Sequence, residues 1–130
     1  MKSVKKVSIS IANSFKFAFE GLNYALKTQK NLHIHLLFAF LILIFSIWLK
    51  VSSIELAILL TVMMIVISLE LVNSALESLV DLVCAENHHL AKISKDVGAA
   101  AVLFSAIASM VIGVIILGPK LLERMEIIYK

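Results

Sequence analysis

The sequence has 130 residues, of which 61% are hydrophobic and 16% are charged, and its mean hydropathy is +1.00. This composition excludes an ordinary soluble domain of the same length and is typical of a helical membrane protein with several spans. The formal net charge of +3 comes without a basic and aromatic patch, so it indicates anionic lipid rather than nucleic acid as a partner, and the single cysteine excludes an internal disulfide.

Residues 4–28 are predicted to form an amphipathic helix, because apolar residues recur on one face and polar residues on the other. We expect this helix to lie in the membrane surface; a helix docked on the bundle as in a soluble protein is the alternative. Half of the basic residues precede the first apolar run, which predicts a cytoplasmic N-terminus by the positive-inside rule. They are Lys2, Lys5, Lys6, Lys16, Lys27 and Lys30.

Residues 32–51 are predicted to form the first membrane span, because a helix of this length reaches about 30 Å, the thickness of the hydrocarbon layer. Trp48 and Lys50 fit its outer interface, as a belt aromatic and a snorkelling cation. His33 and His35 lie at the inner end. Their spacing points them to different sides of a helix, so we expect interfacial polar residues rather than metal ligands.

Residues 54–84 are predicted to form a second helix, longer than the bilayer requires, whose last turns project beyond the inner membrane boundary. Glu70, Asn73, Glu77 and Asp81 follow at intervals of three, four and four, so they share one face. Charges near the bilayer centre cost at least about 2.5–3.5 kcal/mol each. The stripe therefore requires a counter-charge or a bound ligand.

The polar segment 85–96 is predicted to be a loop, followed by a third span over residues 97–117 that is closed by Gly118 and Pro119. Small residues recur every fourth position of this span, which favours close helix packing and implies no chemistry. Lys92 and Lys95 in the predicted loop are candidate counter-charges for the acidic stripe.

The acidic stripe and the following lysines suggest a site but do not name its reaction. Carboxylates suit Mg²⁺, a lysine can neutralise phosphate, and a further carboxylate can act as a base, which are the parts that phosphoryl transfer requires. A structural salt-bridge network between the second helix and its loop is the alternative. The sequence has no P-loop, no G-x-G-x-x-G and no kinase catalytic loop, so any nucleotide site would be unconventional.

Two segments, ELVNSALESLVDLV and HHLAKISKDVGAAAV, resemble the prokaryotic diacylglycerol kinase family of small trimeric membrane lipid kinases, which includes undecaprenol kinases. The similarity extends over nearly the whole chain and includes the amphipathic start SFKFAFEGLNYAL. The resemblance implies an all-α homotrimer in the bacterial cytoplasmic membrane. Its active sites would lie at the inner face between subunits and would transfer the γ-phosphate of MgATP to a lipid hydroxyl.

The resemblance also implies roles for individual residues. Glu70 matches the general base that takes the proton of the lipid alcohol, Asn73 matches a positioning residue in the active site, and Glu77 matches a magnesium ligand. The implied nucleotide-binding residues are Phe17, Gln29, Glu77, Glu86, His88, Lys95 and Asp96. The implied contacts with the lipid substrate are Glu70, Trp48 and Ala99.

Gln29 departs from the family pattern, which usually has a glutamate that joins the Glu77 equivalent on the metal. An amide oxygen can ligate Mg²⁺ but brings no negative charge. We expect a weakened but active metal site; substitution by another acid such as Glu20, or poor turnover, are the alternatives.

The segments TQKNLHIH and HHLAKISKD resemble the undecaprenol kinase branch more closely than the diacylglycerol kinase branch. We therefore expect undecaprenol to be favoured over diacylglycerol as the lipid substrate. The alternative outside enzymes is a membrane protein whose acidic stripe relays cations or holds an oligomer together.

Overall fold

The computed structural model describes residues 11–84 and 88–128, and within these ranges the chain forms four helices. They are α1 (Ile11–Thr28), α2 (Lys30–Trp48), α3 (Ser53–Val83) and α4 (His89–Ile128). Three of them, α2, α3 and α4, are long and apolar enough to cross a membrane. The predicted fold class, an all-α membrane protein, is confirmed.

Helix α1 leaves most of its aromatic side chains unpacked. Phe15 is 63% exposed and Phe19 is 68% exposed, whereas Ala25 near the end of the helix is buried. A helix docked as in a soluble protein would bury such residues, so their exposure favours the predicted position in the membrane surface. Residues 4–10 of the predicted amphipathic helix lie outside the described residues.

Helices α1 and α2 are separated by Gln29, whose extended backbone (φ −104°, ψ 107°) breaks the helical path. Its N–H still donates to the carbonyl oxygen of Ala25 at 2.8 Å. Helix α2 then runs from Lys30 to Trp48. Compared with the predicted span 32–51, it begins two residues earlier and ends three residues earlier. The tight turn into α3 contains Lys50 with a positive φ of 53°, which ends α2 before Val51.

Helix α3 begins with a capping box in which the Ser52 hydroxyl accepts from the Glu55 N–H and the Glu55 carboxylate accepts from the Ser52 N–H. Its 31 residues reach about 46 Å. α3 packs on both α2 and α4, and its buried positions are Leu59, Met63, Val66, Glu70, Asn73 and Ser74. The buried apolar face therefore continues directly into Glu70 and Asn73.

Helix α4 differs from the prediction at both ends. The segment 85–96 was expected to be a loop, but α4 begins at His89, so only a short connection remains. Lys92 and Asp96 form an ion pair one helical turn apart, which suits a solvent-exposed helix, and the His88 ring accepts from the Leu90 N–H at 3.2 Å.

The expected helix end at Gly118 and Pro119 is also wrong, because α4 continues through Pro119 to Ile128. A proline in a membrane helix is tolerated where neighbouring groups satisfy the backbone it frees. At 40 residues, α4 reaches about 60 Å and extends beyond the turn between α2 and α3.

Candidate functional site

Glu70 is almost completely buried, with 2% of its surface exposed. It lies on the face of α3 that packs on the neighbouring helices, two turns before Glu77 on the same face. The Ser74 hydroxyl, which is also buried, donates to the backbone carbonyl of Glu70 at 2.8 Å and so satisfies its own polar group locally. The Glu70 side chain lines a cavity, which makes it a candidate reactive group.

This cavity, the Glu70 pocket, has a volume of about 300 Å³ and lies between α2, α3 and α4. Helices α2 and α3 provide its polar side chains, and α4 provides small and apolar ones. The lining residues are Asn31, Ile34, His35, Glu70, Asn73, Glu77, Ala99, Val102, Leu103 and Ala106. Four predicted site residues, Glu70, Asn73, Glu77 and Ala99, thus meet in one pocket.

Asn73 fixes the carboxylate of Glu77. Its side-chain amide N–H donates to Glu77 Oε1 at 3.1 Å, from one turn earlier on α3. Asn73 is buried, with 6% of its surface exposed, and its Oδ1 has no hydrogen-bond partner among the described residues. The amide therefore orients the carboxylate from a largely buried position.

Beyond Glu77, two ion pairs occupy the end of the bundle where α3 ends and α4 begins. Lys95 donates to Asp81 at 2.5 Å and links α4 to α3, while Lys92 and Asp96 pair within α4 at 2.5 Å. Lys95 thus provides a counter-charge to one acid of the stripe, as expected. The Asp81 and Asp96 carboxylates are more than half exposed, and exposed pairs are worth only about 0–1 kcal/mol. Either lysine could therefore exchange its partner for a phosphate at small cost.

Among residues 11–84 and 88–128, the remaining predicted site residues do not line the Glu70 pocket. Gln29 lies at the break between α1 and α2, Phe17 is exposed on α1, and His88 is exposed at the start of α4. Glu86 lies outside the described residues. Trp48 ends α2, about 20 Å along the helix from His35. The structure therefore separates Trp48 from Glu70, with which it was grouped as a lipid contact.

Sequence reasoning missed Asn31 and His35, which line the pocket from α2. Their spacing of four places them on one face of a helix, a signal that was available in the sequence. His33 and His35 point to different sides of the helix, so considering these two histidines together does not indicate the face that Asn31 and His35 share. In the structure His33 is exposed, and its ring contacts the carbonyl oxygen of Gln29 at 3.0 Å.

An apolar groove of about 330 Å³ adjoins the Glu70 pocket and shares Ile34, His35 and Ala106 with it. The groove continues between the same three helices toward the opposite end of the bundle. Its other lining residues are Phe38, Ala39, Ile42, Met63, Val66, Ile67, Ser109 and Met110. A polar pocket that continues into an apolar groove suits an amphiphile with a polar head and a hydrocarbon chain.

The pocket fits a magnesium ion that arrives with a nucleotide better than a resident metal. Glu70 and Glu77 provide carboxylates, but in residues 11–84 and 88–128 no three His, Cys, Asp or Glu residues are grouped as metal ligands. Mg²⁺ is commonly held by one or two carboxylates together with substrate phosphates. The donor set of the pocket is of this kind.

Comparison with known proteins agrees with this geometry. A family model for prokaryotic diacylglycerol kinase matches residues 16–117. A diacylglycerol kinase of Synechocystis sp. is 39% identical over 125 residues, which cover 95% of this chain and 71% of that protein. The undecaprenol kinase of Bacillus subtilis is 38% identical over 108 residues, 83% of this chain and 88% of that protein. The chain therefore belongs to the prokaryotic diacylglycerol kinase family.

Proposed function

We propose that this chain, a lipid kinase of the prokaryotic diacylglycerol kinase family, transfers the γ-phosphate of MgATP to the hydroxyl of a membrane lipid bound at the Glu70 pocket. One observation carries the proposal: a buried carboxylate stands where a polar pocket meets an apolar groove. A lipid alcohol in the groove would present its hydroxyl to Glu70. Its hydrocarbon chain would remain among apolar side chains.

Glu70 acts as the general base. Its carboxylate takes the proton of the lipid hydroxyl, the hydroxyl oxygen forms a bond to the γ-phosphorus, and the bond from that phosphorus to the ADP oxygen breaks. Glu77 lies two turns along α3, about 10 Å away by helical rise. This separation leaves Glu70 to the lipid and Glu77 to the nucleotide.

Glu77, oriented by Asn73, would hold Mg²⁺, with the Gln29 amide oxygen as a further proposed ligand. When bound, the ion neutralises negative charge on the nucleotide phosphates. Lys95 and Asp96 would contact ATP, with Phe17, Glu86 and His88 as further nucleotide-binding residues. Lys95 can leave Asp81 for a phosphate because their ion pair is exposed.

The site is proposed to face the cytoplasm, in agreement with the basic residues that precede α2. We also propose that the protein is a homotrimer in a bacterial cytoplasmic membrane. Large apolar side chains are exposed along all three membrane helices, including Phe40, Ile54 and Phe104. Lipid or neighbouring subunits would cover them.

Undecaprenol is the proposed substrate, with diacylglycerol as the alternative. The relatives carry both names at similar identity, so identity does not decide between the two lipids. The groove is mostly apolar, and its polar lining residues are His35, where it meets the Glu70 pocket, and Ser109. A polyprenol has only hydrocarbon beyond its hydroxyl, whereas diacylglycerol has two ester groups there, and the groove offers them only His35 and Ser109 as hydrogen-bond partners. The groove therefore favours the polyprenol.

The test is a phosphoryl-transfer assay of the purified protein in detergent micelles with Mg²⁺, γ-labelled ATP and either undecaprenol or diacylglycerol. We expect label in both lipids, at the higher rate in undecaprenol. Faster labelling of diacylglycerol would overturn the choice of substrate but leave the kinase. Absence of label from both lipids would overturn the kinase and favour the cation-relay or purely structural alternative.

A further inference from the structure

The side-chain amide of Asn73 occupies an unusual position in the contact between α3 and α4. Its N–H group is used by Glu77 at 3.1 Å, while its Oδ1 is buried without a hydrogen-bond partner in the described part of the chain. The opposite amide orientation would bring Oδ1 against the Glu77 carboxylate, where two oxygen acceptors repel each other. The neighbouring helix must therefore accommodate the oxygen.

Gly98 of α4 provides that accommodation. A Cβ atom at residue 98 would overlap Asn73 Oδ1 and would approach Leu76 Cδ2 to 3.0 Å. The amide thus fills the volume that any larger residue at position 98 would occupy. Gly98 has no positive φ, so space rather than backbone conformation explains the glycine.

The other glycines of the chain do not play this part. A Cβ at Gly21, Gly113 or Gly118 would meet nothing within 4 Å. Close approach of a bare backbone to a polar side chain is therefore specific to Gly98 among the four glycines. A contact of Cα–H with a carbonyl oxygen, weak but recurrent at helix interfaces, is available to Asn73 Oδ1 here.

We propose that Gly98 is a positioning residue: the bare backbone of α4 holds the Asn73 amide so that its N–H group orients the Glu77 carboxylate. This inference rests on the proposed function, in which Glu77 serves the magnesium and the nucleotide. Gly98 itself touches neither. Its effect passes from α4 through Asn73 to Glu77 and leaves Glu70, one turn before Asn73, in place.

This route predicts a specific kinetic signature. A methyl group at residue 98 would displace the Asn73 amide and release the Glu77 carboxylate, which would weaken binding of MgATP. Gly98→Ala should raise the KM for MgATP about tenfold or more, as expected for the loss of one charge-assisted hydrogen bond. The KM for the lipid should change much less. A general weakening of the helix packing would not separate the two substrates in this way.

The matched control is Gly118→Ala. It makes the same substitution in the same helix, but the new methyl group meets nothing within 4 Å. Residue 118 also lies just beyond the residues that the family model matches, 16–117. Alanine is a better helix former than glycine at residue 98, whereas at residue 118 this gain is reduced by crowding from the ring of Pro119. Gly118→Ala should keep the wild-type KM for MgATP.

The deciding experiment is a double-mutant cycle of Gly98→Ala and Asn73→Ala, with kcat and both KM values measured for all four proteins. Without the amide there is room for the methyl, so Gly98→Ala should cost nothing further in the Asn73→Ala background. Two outcomes would overturn the positioning role: wild-type kinetics for Gly98→Ala, or independent effects that multiply in the double variant.

Thermal unfolding of the same four proteins covers the case in which Gly98→Ala folds poorly. The contact requires that Asn73→Ala rescue the melting temperature of Gly98→Ala; additive losses would overturn it. Failure of the proposed function is distinguishable, since it would appear as no phosphoryl transfer by the wild type and by Gly118→Ala. Transfer by both with unchanged Gly98→Ala kinetics would instead overturn this inference alone.

Discussion

Helix α3 carries Glu55 in its first turn and Glu70 in its middle, and the structure uses the two glutamates in opposite ways. Glu55, at the turn from α2, accepts from the Ser52 N–H at 2.6 Å and from Lys120 at 3.2 Å. In the same region Arg124 lies over the Trp48 ring, 5.7 Å from its centroid. At this hairpin end, defined as residues 48–55 with 119–124, three charged groups have partners within the chain: Glu55, Lys120 and Arg124.

In the middle of α3, Glu70 is more deeply buried than Glu55 but lines a cavity, and Asn73 keeps a buried oxygen without a partner among the residues described. Burying polar groups without partners costs stability, so their position here needs another explanation. Glu55 therefore stabilises the fold, whereas Glu70 is available to a ligand. Local rules that fail at one place in a chain mark candidate functional sites.

The largest expected effect comes from the same substitution at both glutamates. Glu70→Gln keeps the shape of the side chain but removes the base, so phosphoryl transfer to lipid should fall about 100- to 10,000-fold. Glu55→Gln should leave transfer close to the wild-type rate, because Glu55 contacts only Ser52 and Lys120 among its described partners. Initial rates with γ-labelled ATP and undecaprenol measure both.

Nucleotide binding separates a catalytic loss from a folding loss. Glu70→Gln should retain the thermal stabilisation that MgATP gives to the wild type, since Glu77 and the lysines are unchanged. Equal losses of phosphoryl transfer in Glu70→Gln and Glu55→Gln would contradict the assignment of Glu70 to catalysis and Glu55 to the fold. Loss of assembly in Glu70→Gln would support the structural interpretation of the acidic stripe.

A smaller effect is expected from Gln29→Glu, which restores the carboxylate of the family pattern. A negative charge 4 Å from the divalent ion would attract it by about 2 kcal/mol in water, so the half-saturating Mg²⁺ concentration should fall by up to about thirtyfold. Rates measured over a Mg²⁺ titration test this. Gln29→Met, which removes the amide oxygen without adding charge, should shift the midpoint upward.

An unchanged Mg²⁺ midpoint in Gln29→Glu would end the hypothesis of a weakened metal site. It would also fit the position of Gln29 outside the Glu70 pocket. The metal would then depend on Glu77 and the nucleotide phosphates alone.

The sequence predicted the helices that are apolar and periodic, and it missed what depends on contacts between helices. The spacing of Glu70, Asn73 and Glu77 placed them on one face, and the structure brings them into one pocket. The start of α4 was missed because a polar helix at the membrane boundary and a loop have similar compositions. The spacing of Asn31 and His35 shows that they share one face of α2, but only the structure shows that this face opposes Glu70 of α3.

The roles of the site residues came from resemblance rather than from physics. Spacing alone left a salt-bridge network open, and the structure does contain ion pairs at Asp81 and Asp96. What distinguishes the pocket from that network is the burial of Glu70 and Asn73 beside a cavity. Side-chain burial in a three-helix contact cannot be obtained from one sequence by periodicity.

At the hairpin end, the expected effects are on stability. Glu55 and Lys120 lie 3.2 Å apart, so their pair should show a small favourable coupling, as ion pairs at protein surfaces do. A double-mutant cycle of Glu55→Gln and Lys120→Met, read from thermal unfolding in micelles, measures the coupling. Phosphoryl transfer below the melting temperature should not change. A coupling of zero would mean that the pair contributes only through the separate capping of α3 by Glu55.

The smallest expected effect is at Arg124, whose guanidinium lies over a ring that is 44% exposed. A cation–π contact at an exposed site is worth about 0.5–1 kcal/mol, so Arg124→Gln should lower the free energy of unfolding by no more than this. Trp48 is the single tryptophan, so the fluorescence of the protein reports on the surroundings of this one ring. The emission should change in Arg124→Gln and remain as in the wild type in Glu70→Gln.

Because Trp48 lies about 20 Å along α2 from His35, the KM for lipid should be unaffected in Arg124→Gln. A raised KM for lipid in Arg124→Gln would show instead that the hairpin end contributes to substrate binding, as the sequence grouping of Trp48 with Glu70 had predicted.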